Sequence, residues 1–371
     1  MKESITSKQM ITVITIIRLS TALSIMPTTD IRPFNQDVWI MVLVSIIYTY
    51  VAMIPLLFLA NNFRDASMIG YFEIIYGKGI GKILGFFYGL YFLSNSLNAS
   101  TVQSELITTS ILTDTSENLI VIAMMVTCIY CVSKGTMVGI KANEILAPIS
   151  ISIIILLIAF GINNFRYNLL LPILSDSTIL DINLGAMELT TFFSEVFFLT
   201  MLVPYLENKD DINKIFIKSA IYSLGLLAII VIICYITFGV EYIQHSNFPF
   251  LLYARSIDIF TVVERIDSVA VVAWLIASIL RVSSFLAISV NAFRELFNKD
   301  ENEKIIFGIL SSILTVLTLY VVNIRSFIIS RGDILSLKNI LFITFVIIIP
   351  SITCIVYFIR RKSIESKTPI N

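Results

Sequence analysis

Charge is what this sequence has least of. Asp, Glu, Lys and Arg make up 14% of its 371 residues, against about 25% in a soluble domain. That deficit excludes a surface covered by water. Histidine is nearly absent, and the single one, His245, sits in a polar connector. An imidazole-based metal centre is thereby excluded, as is a nucleophile activated by a neighbouring histidine. Cysteine is also sparse. Cys128, Cys131, Cys234 and Cys354 all lie inside apolar stretches. The C-x-x-C spacing of the first two has neither a second pair nor a nearby histidine, so these thiols read as small buried hydrophobes. No disulfide framework, metal or cofactor is expected. Net charge is zero, with 26 basic and 26 acidic residues, which argues against nucleic acid as a partner. No small-x-small cleavage site follows the first apolar stretch, which contains Arg18 and ends at Met26-Pro27. It reads as a spanning helix and not as a cleaved signal peptide.

What is abundant is apolar sequence, 57% of the chain, with a mean hydropathy of +0.90. The pattern predicts an all-α polytopic membrane protein with about ten spans, at 9–28, 38–60, 81–104, 118–138, 144–164, 186–206, 214–239, 268–291, 304–323 and 337–359. Each is about twenty residues or more, enough for a hydrocarbon core about 30 Å thick. Connectors are short and hold most of the charges, so a single transmembrane domain is expected. With the N-terminus in the cytoplasm, 17 Lys and Arg fall inside and 7 outside, and both termini are then cytoplasmic. Ten spans with both ends inside suit two five-helix halves of opposite orientation, at about 9–164 and 186–359, with the site at their interface. Arg18 and Glu195 each lie nine residues before a proline, Pro27 and Pro204, in the first span of each half.

Few ionisable groups lie within the spans: Arg18, Glu105, Glu188, Glu195 and Arg281. Such groups normally face a bundle interior or a hydrated cavity. Tyr91, Ser94, Asn98, Thr101 and Glu105 step by three or four along the third span and share one face. Glu188, Thr191 and Glu195 do so on the sixth, and Asp267, Trp274, Ser278, Arg281 and Ser284 on the eighth. Three polar stripes plus Arg18 predict one shared cavity between helices. Arginine can fork onto a carboxylate and glutamate can hold an ammonium, the two ends of an amino acid. A structural reading stands beside this one: hydroxyl residues glue helices together, and Arg18 can simply pair with Glu195.

Short stretches in order along the chain carry a resemblance. They are Ile5-Thr6-Ser7-Lys8-Gln9, Asn35-Gln36-Asp37-Val38-Trp39, Phe72-Glu73-Ile74-Ile75, and Gly77-Lys78-Gly79-Ile80-Gly81-Lys82-Ile83-Leu84. Further on come Ser133-Lys134-Gly135, Leu171-Pro172-Ile173-Leu174, Ser194-Glu195-Val196 through Pro204-Tyr205, Phe248-Pro249, Ala254-Arg255-Ser256-Ile257-Asp258 and Val263-Glu264-Arg265-Ile266-Asp267. Over nearly its whole length the chain resembles the endospore germination permeases, the B subunits of spore germinant receptors, within the amino acid–polyamine–organocation transporter superfamily. The resemblance implies an inverted five-plus-five repeat in the inner membrane of the spore. It also implies association with an A subunit and a lipoprotein C subunit, and sensing of a small nutrient, often an amino acid, near the middle of the first, third, sixth and eighth spans. Transporters of that superfamily break the first span with glycines whose backbone binds the substrate carboxylate. The matching stretch here, Arg18-Leu19-Ser20-Thr21-Ala22-Leu23-Ser24, has none.

The expected ligand site therefore comprises Arg18, Thr21, Ala22, Tyr91, Ser94, Asn98, Thr191, Glu195, Trp274, Ser278 and Arg281, with a polar pathway through Thr101, Glu105 and Glu188. No enzymatic activity is expected. Alternatives to a nutrient sensor are a gradient-driven amino acid transporter, with Glu105, Glu188 or Glu195 carrying the proton; a water or ion channel lined by Asn98, Thr101 and Glu105; and an architectural subunit that binds nothing.

Overall fold

The computed structural model describes residues 4–24, 35–193, 195–257, 267–297, 303–328 and 337–365. Pro27, Ser194 and residues 263–266 of the sequence reading lie outside these. The chain forms helices throughout: α1 (Ser7–Ser24), α2 (Val38–Asn62), α3 (Met68–Tyr76), α4 (Lys78–Ser110), α5 (Glu117–Ser133), α6 (Thr136–Phe160), α7 (Ile179–Thr190), α8 (Val196–Leu202), α9 (Ile212–Phe238), α10 (Val240–Gln244), α11 (Pro249–Arg255), α12 (Asp267–Phe297), α13 (Glu303–Ile328), α14 (Leu337–Phe342) and α15 (Ile349–Glu365), with a π-helical stretch Ile343–Ile348 joining the last two. Among the described residues the β pairing is one parallel bridge, Ile5 to Leu206.

Helix fills most of the described part of each of the ten expected segments; the fourth runs past the end of α5 into the turn at Gly135, and the sixth is interrupted. Six helical stretches are long and apolar enough to cross a membrane by themselves, corresponding to α2, α6, α9, α12, α13 and α14–α15. The others depart from a simple apolar span for identifiable reasons. α4 is 33 residues long and carries many polar side chains, α5 is short at 17 residues, and the sixth segment is split between α7 and α8. α6 begins at Thr136, earlier than the expected residue 144, because Gly135 adopts φ +96° and lets α5 turn directly into α6. Exposed side chains such as Ile47 and Val51 of α2, Val126 of α5, Ile145 and Ile155 of α6 and Ile355 and Ile359 of α15 form a lipid-facing apolar coat. The protein is an integral membrane protein of the all-α polytopic class.

α12 is the central post, the most deeply buried of the six long apolar stretches, whereas α6 is the least buried. It packs along α4, with α1 held between α12, α6 and α9. The termini of these helices are specified locally. Thr6 and Gln9 form a reciprocal cap at the start of α1, each backbone N–H donating to the other's side chain at 3.0 and 3.2 Å. The Ile5 N–H donates to the Tyr205 carbonyl at 2.8 Å, so the N-terminus is sewn to the end of the sixth segment. Gly77 at φ +86° turns α3 into α4. A Cβ at Gly81 would lie 2.6 Å from the Glu73 Cα, so only glycine permits that close crossing.

Two of the sequence stretches noted above are one structural feature. Asn35, Gln36 and Asp37 clasp the 172–177 loop: Gln36 donates to the Pro172 carbonyl (2.8 Å) and Asp176 (2.9 Å), Asn35 to Ser177 (2.7 Å), and the Leu174 N–H to Asp37 (2.8 Å).

Candidate functional site

The site begins with a break in a helix. α7 starts on a capping box between Thr178 and Asp181 and stops at Thr190; α8 starts at Val196. No glycine or proline lies in between. Hydroxyls supply a reason for the stop: Thr190 Oγ1 donates to the Ala186 carbonyl at 3.0 Å, and Thr191 Oγ1 to that of Glu188 at 2.7 Å. Such bonds compete with the next turn of backbone. The N–H groups of Phe192 and Phe193 reach only three residues back, to Leu189 and Thr190. The carbonyl of Phe192 is then available to another element, and it accepts a hydrogen bond from Arg18 of α1. A cation at the C-terminal end of α7 also matches the helix dipole.

Three ionisable side chains from three elements meet at this break. Arg18 and Glu195 are 0% exposed and Arg281 of α12 is 8% exposed. The Glu195 carboxylate acts electrostatically on both guanidinium groups, and these also repel each other. They are not closed into a hydrogen-bonded ion pair. Both Glu195 carboxylate oxygens, Nε and Nη2 of Arg18 and Nε of Arg281 are buried without a hydrogen-bond partner. Each arginine also lies over a phenyl ring, Arg18 5.7 Å from the centroid of Phe193 and Arg281 5.9 Å from that of Phe285. Tyr91 is buried within the electrostatic reach of Glu195, stacked on Phe345 at 4.7 Å and edge-on to Phe197 at 5.4 Å.

The remaining predicted residues lie around this group in different ways. Ser278 is fully buried and shares a 3.0 Å hydrogen bond with Ser20, joining α12 to α1. Ala22 is buried; Thr21 is half-buried, but its hydroxyl is enclosed without a hydrogen-bond partner. The Thr191 hydroxyl lies 2.9 Å from the Asn339 side-chain oxygen, so its one proton is shared between that oxygen and the Glu188 carbonyl. Ser94 and Thr101 direct their hydroxyls at carbonyls of α4, those of Tyr91 and Asn98. Asn98 is exposed, and Glu105 and Glu188 are half-buried on α4 and α7. Trp274 lines a cavity of about 10 Å³, room for one water, together with Leu23, Leu106, Phe250, Leu251 and Ala270. That cavity is apolar and lies two turns of α12 from Arg281, on the Asp267 side. None of the three charged side chains lines it.

Sequence reasoning missed several participants. The Phe192 carbonyl is main chain and leaves no residue-type signal. Ser20, Phe197 and Phe345 look like ordinary packing until partners are known. A second polar stripe on α4, formed by Ser96, Ser100, Gln103 and Ser104, is more deeply buried than the one containing Asn98. Ser96 donates to the Val282 carbonyl of α12, Ser100 pairs with Thr318 of α13 and Ser104 donates to Glu117 of α5, each at 2.9 Å. Its three-and-four spacing is present in the sequence, but small hydroxyl side chains are common helix-packing residues and carry little signal by themselves.

Residues 4–327 match the model of a family described as spore germination protein. The chain is 24% identical over 334 residues to spore germination protein KB of Bacillus subtilis (strain 168), covering 85% of this chain and 86% of that protein. It is 24% identical over 246 residues to spore germination protein YndE of the same organism, covering 65% and 66% of the two chains. To spore germination protein B2, also from that organism, it is 24% identical over 198 residues, covering 52% and 53%.

Proposed function

The chain belongs to the spore germination permease family, and on that premise we propose that it is the membrane subunit of a spore germinant receptor, sensing a small nutrient, an amino acid, at the break between α7 and α8. The observation that carries this reading is the meeting of Arg18, Glu195 and Arg281, buried, drawn from three elements and left with unpartnered polar atoms. Ionisable groups are costly in hydrocarbon, and a group buried without its hydrogen bonds costs more than one that is paired. An amino acid bound among them supplies a carboxylate for a guanidinium and an ammonium for the glutamate. In the conformation described here the group is closed off, so binding requires an opening, and a ligand shifts that equilibrium by its differential affinity for the two forms.

The route by which binding is felt elsewhere runs through α8. Thr200 of α8 contacts Met68 of α3 through a 3.7 Å hydroxyl–sulfur hydrogen bond. α3 is held in turn by α12, where Glu295 accepts from Ser67 at 2.7 and 2.6 Å, and by Arg360 of α15, which donates to the Ile75 carbonyl. Movement at the break is thus delivered to a short helix at the far end of the bundle. In the proposed arrangement both termini are cytoplasmic, the repeats span about 9–164 and 186–359, the membrane is that of the spore interior, and A and C subunits complete the receptor.

The test is germination of spores carrying Glu195→Gln or Arg18→Lys at wild-type protein levels. The nutrient concentration giving half-maximal germination is expected to rise in both. An unchanged dose–response in both variants rules out this site.

A further inference from the structure

The charges at the break do not balance. Arg18 and Arg281 contribute +2 and Glu195 contributes −1, leaving +1. Glu195 attracts both arginines and the arginines repel each other; among the described residues no fourth charged group acts on either. An arginine does not relieve the excess by losing its proton. Uncompensated charge in a buried site is strongly unfavourable. A neutral zwitterion cancels none of it. A ligand of net charge −1 cancels all of it.

The unpartnered atoms narrow the choice further. Free N–H donors remain on Arg18 (Nε and Nη2) and on Arg281 (Nε), and two free acceptors remain on Glu195 (Oε1 and Oε2). The two cationic groups and the one anionic group come from α1, α12 and the break, and each lacks a hydrogen-bonded counter-ion. A molecule with two carboxylates and one ammonium offers one opposite charge to each.

We propose that the ligand of this site is an acidic α-amino acid, its two carboxylates bound by Arg18 and Arg281 and its ammonium by Glu195. This rests on the reading of the break as an amino-acid site and adds the charge class of the occupant. One consequence is specific: Glu195→Gln raises the site to +2 and removes the counter-charge of the ammonium, so the preferred occupant becomes the dicarboxylate without an amino group.

The experiment is equilibrium binding of labelled L-glutamate and L-aspartate to the full chain in lipid nanodiscs, with L-glutamine, L-alanine, glutarate and chloride as competitors. L-Glutamate or L-aspartate is expected to bind, with every one of those competitors at least about tenfold weaker. In Glu195→Gln glutarate is expected to outcompete L-glutamate; if that variant does not fold, the wild-type competition series decides alone. L-Alanine or L-glutamine binding as tightly as the acidic pair overturns the charge assignment and leaves the amino-acid site standing. Glutarate or chloride competing as well as L-glutamate in the wild type overturns the three-point match. Failure of every amino acid, acidic or neutral, to bind overturns the reading beneath it.

Discussion

Arg18 of α1 donates a hydrogen bond to the main-chain carbonyl of Phe192, in the gap between α7 and α8. The bond joins the first span to the point where the sixth is interrupted. It also explains how that interruption persists without glycine: a carbonyl released from the helix ladder in an apolar interior finds a guanidinium in place of a backbone N–H. α1, by contrast, is continuous from Ser7 to Ser24. The two spans that begin the proposed repeats are therefore not alike, and the irregular backbone is confined to one of them among the described residues.

Removing the guanidinium strands that carbonyl, while Glu195 keeps Arg281 as a counter-charge. Arg18→Leu is expected to destabilise the protein by about 1.5–3 kcal/mol, the range for a lost hydrogen bond to a charged group. Arg18→Lys keeps the charge and is expected to cost less. Thermal unfolding in detergent gives the order directly; a leucine variant as stable as wild type shows that the contact contributes little.

The clasp over the 172–177 loop yields a second expectation. Asp37 is fully buried and one of its oxygens accepts from the Leu174 N–H. A hydrogen bond to a charged group contributes about 1.5–3 kcal/mol. Asp37→Ala is expected to free the loop, raising the labelling rate of a cysteine introduced at exposed Ile173, whereas a surface change such as Tyr167→Phe should leave that rate unaltered.

A pH effect is expected at the start of α7. Asp181 accepts from the Thr178 hydroxyl and backbone N–H, and these bonds, the hydroxyl first, hold its carboxyl below the usual carboxylate range. A depressed value in the folded state means that the stabilisation is present above the unfolded value, about 3.9, and is lost as pH falls through the folded one. The protection factor of the first-turn amides of α7, the exchange rate corrected for its intrinsic pH dependence, should therefore be high at neutral pH and fall under acid. Asp181→Asn should remove that dependence. Acid-insensitive protection in the wild type contradicts the assignment.

The corner between α3 and α4 separates three glycines that look equivalent in sequence. Gly81→Ala drives a Cβ into the backbone of Glu73, and Gly77→Ala forces φ +86° on an alanine. Gly79 has open space around its would-be Cβ. Gly79→Ala is expected to lie within about 0.5 kcal/mol of wild type, with Gly81→Ala the most damaging of the three because its obstacle is main chain. Melting temperatures of the three variants check the order.

Much of this architecture was legible in the sequence, and the physics explains where legibility ended. Apolar runs of spanning length gave the helices, since lipid leaves a chain few other choices. Arg18, Glu195 and Arg281 stood out because charge in hydrocarbon is costly enough to need a reason. The break at Thr191–Glu195 did not stand out, because it depends on hydroxyl bonds and on a distant arginine, and neither changes the local hydropathy. Asn98 illustrates the opposite failure. Periodicity set it on a face with Tyr91 and Glu105, but periodicity fixes which residues share a face, not which neighbour that face meets. Packing of α4 against α12 buries the adjacent stripe instead.

That adjacent stripe leads to the last expectation. Gln103 is 1% exposed and neither its side-chain nitrogen nor its side-chain oxygen has a hydrogen-bond partner. Its stripe neighbours Ser96, Ser100 and Ser104 each bridge to another helix. A buried amide left unpaired costs about 1–3 kcal/mol, and an apolar group of similar shape removes that cost. Gln103→Met is therefore expected to raise the melting temperature, while Ser100→Ala, which removes the hydroxyl that links α4 to Thr318 of α13, is expected to lower it. Asn98→Leu, on the exposed side of the same helix, should leave stability nearly unchanged. If Gln103→Met is instead destabilising, the amide is satisfied in the working protein by a rearrangement of α4 against its neighbours. The germination dose–response of that variant would then report whether the rearrangement belongs to the sensing cycle.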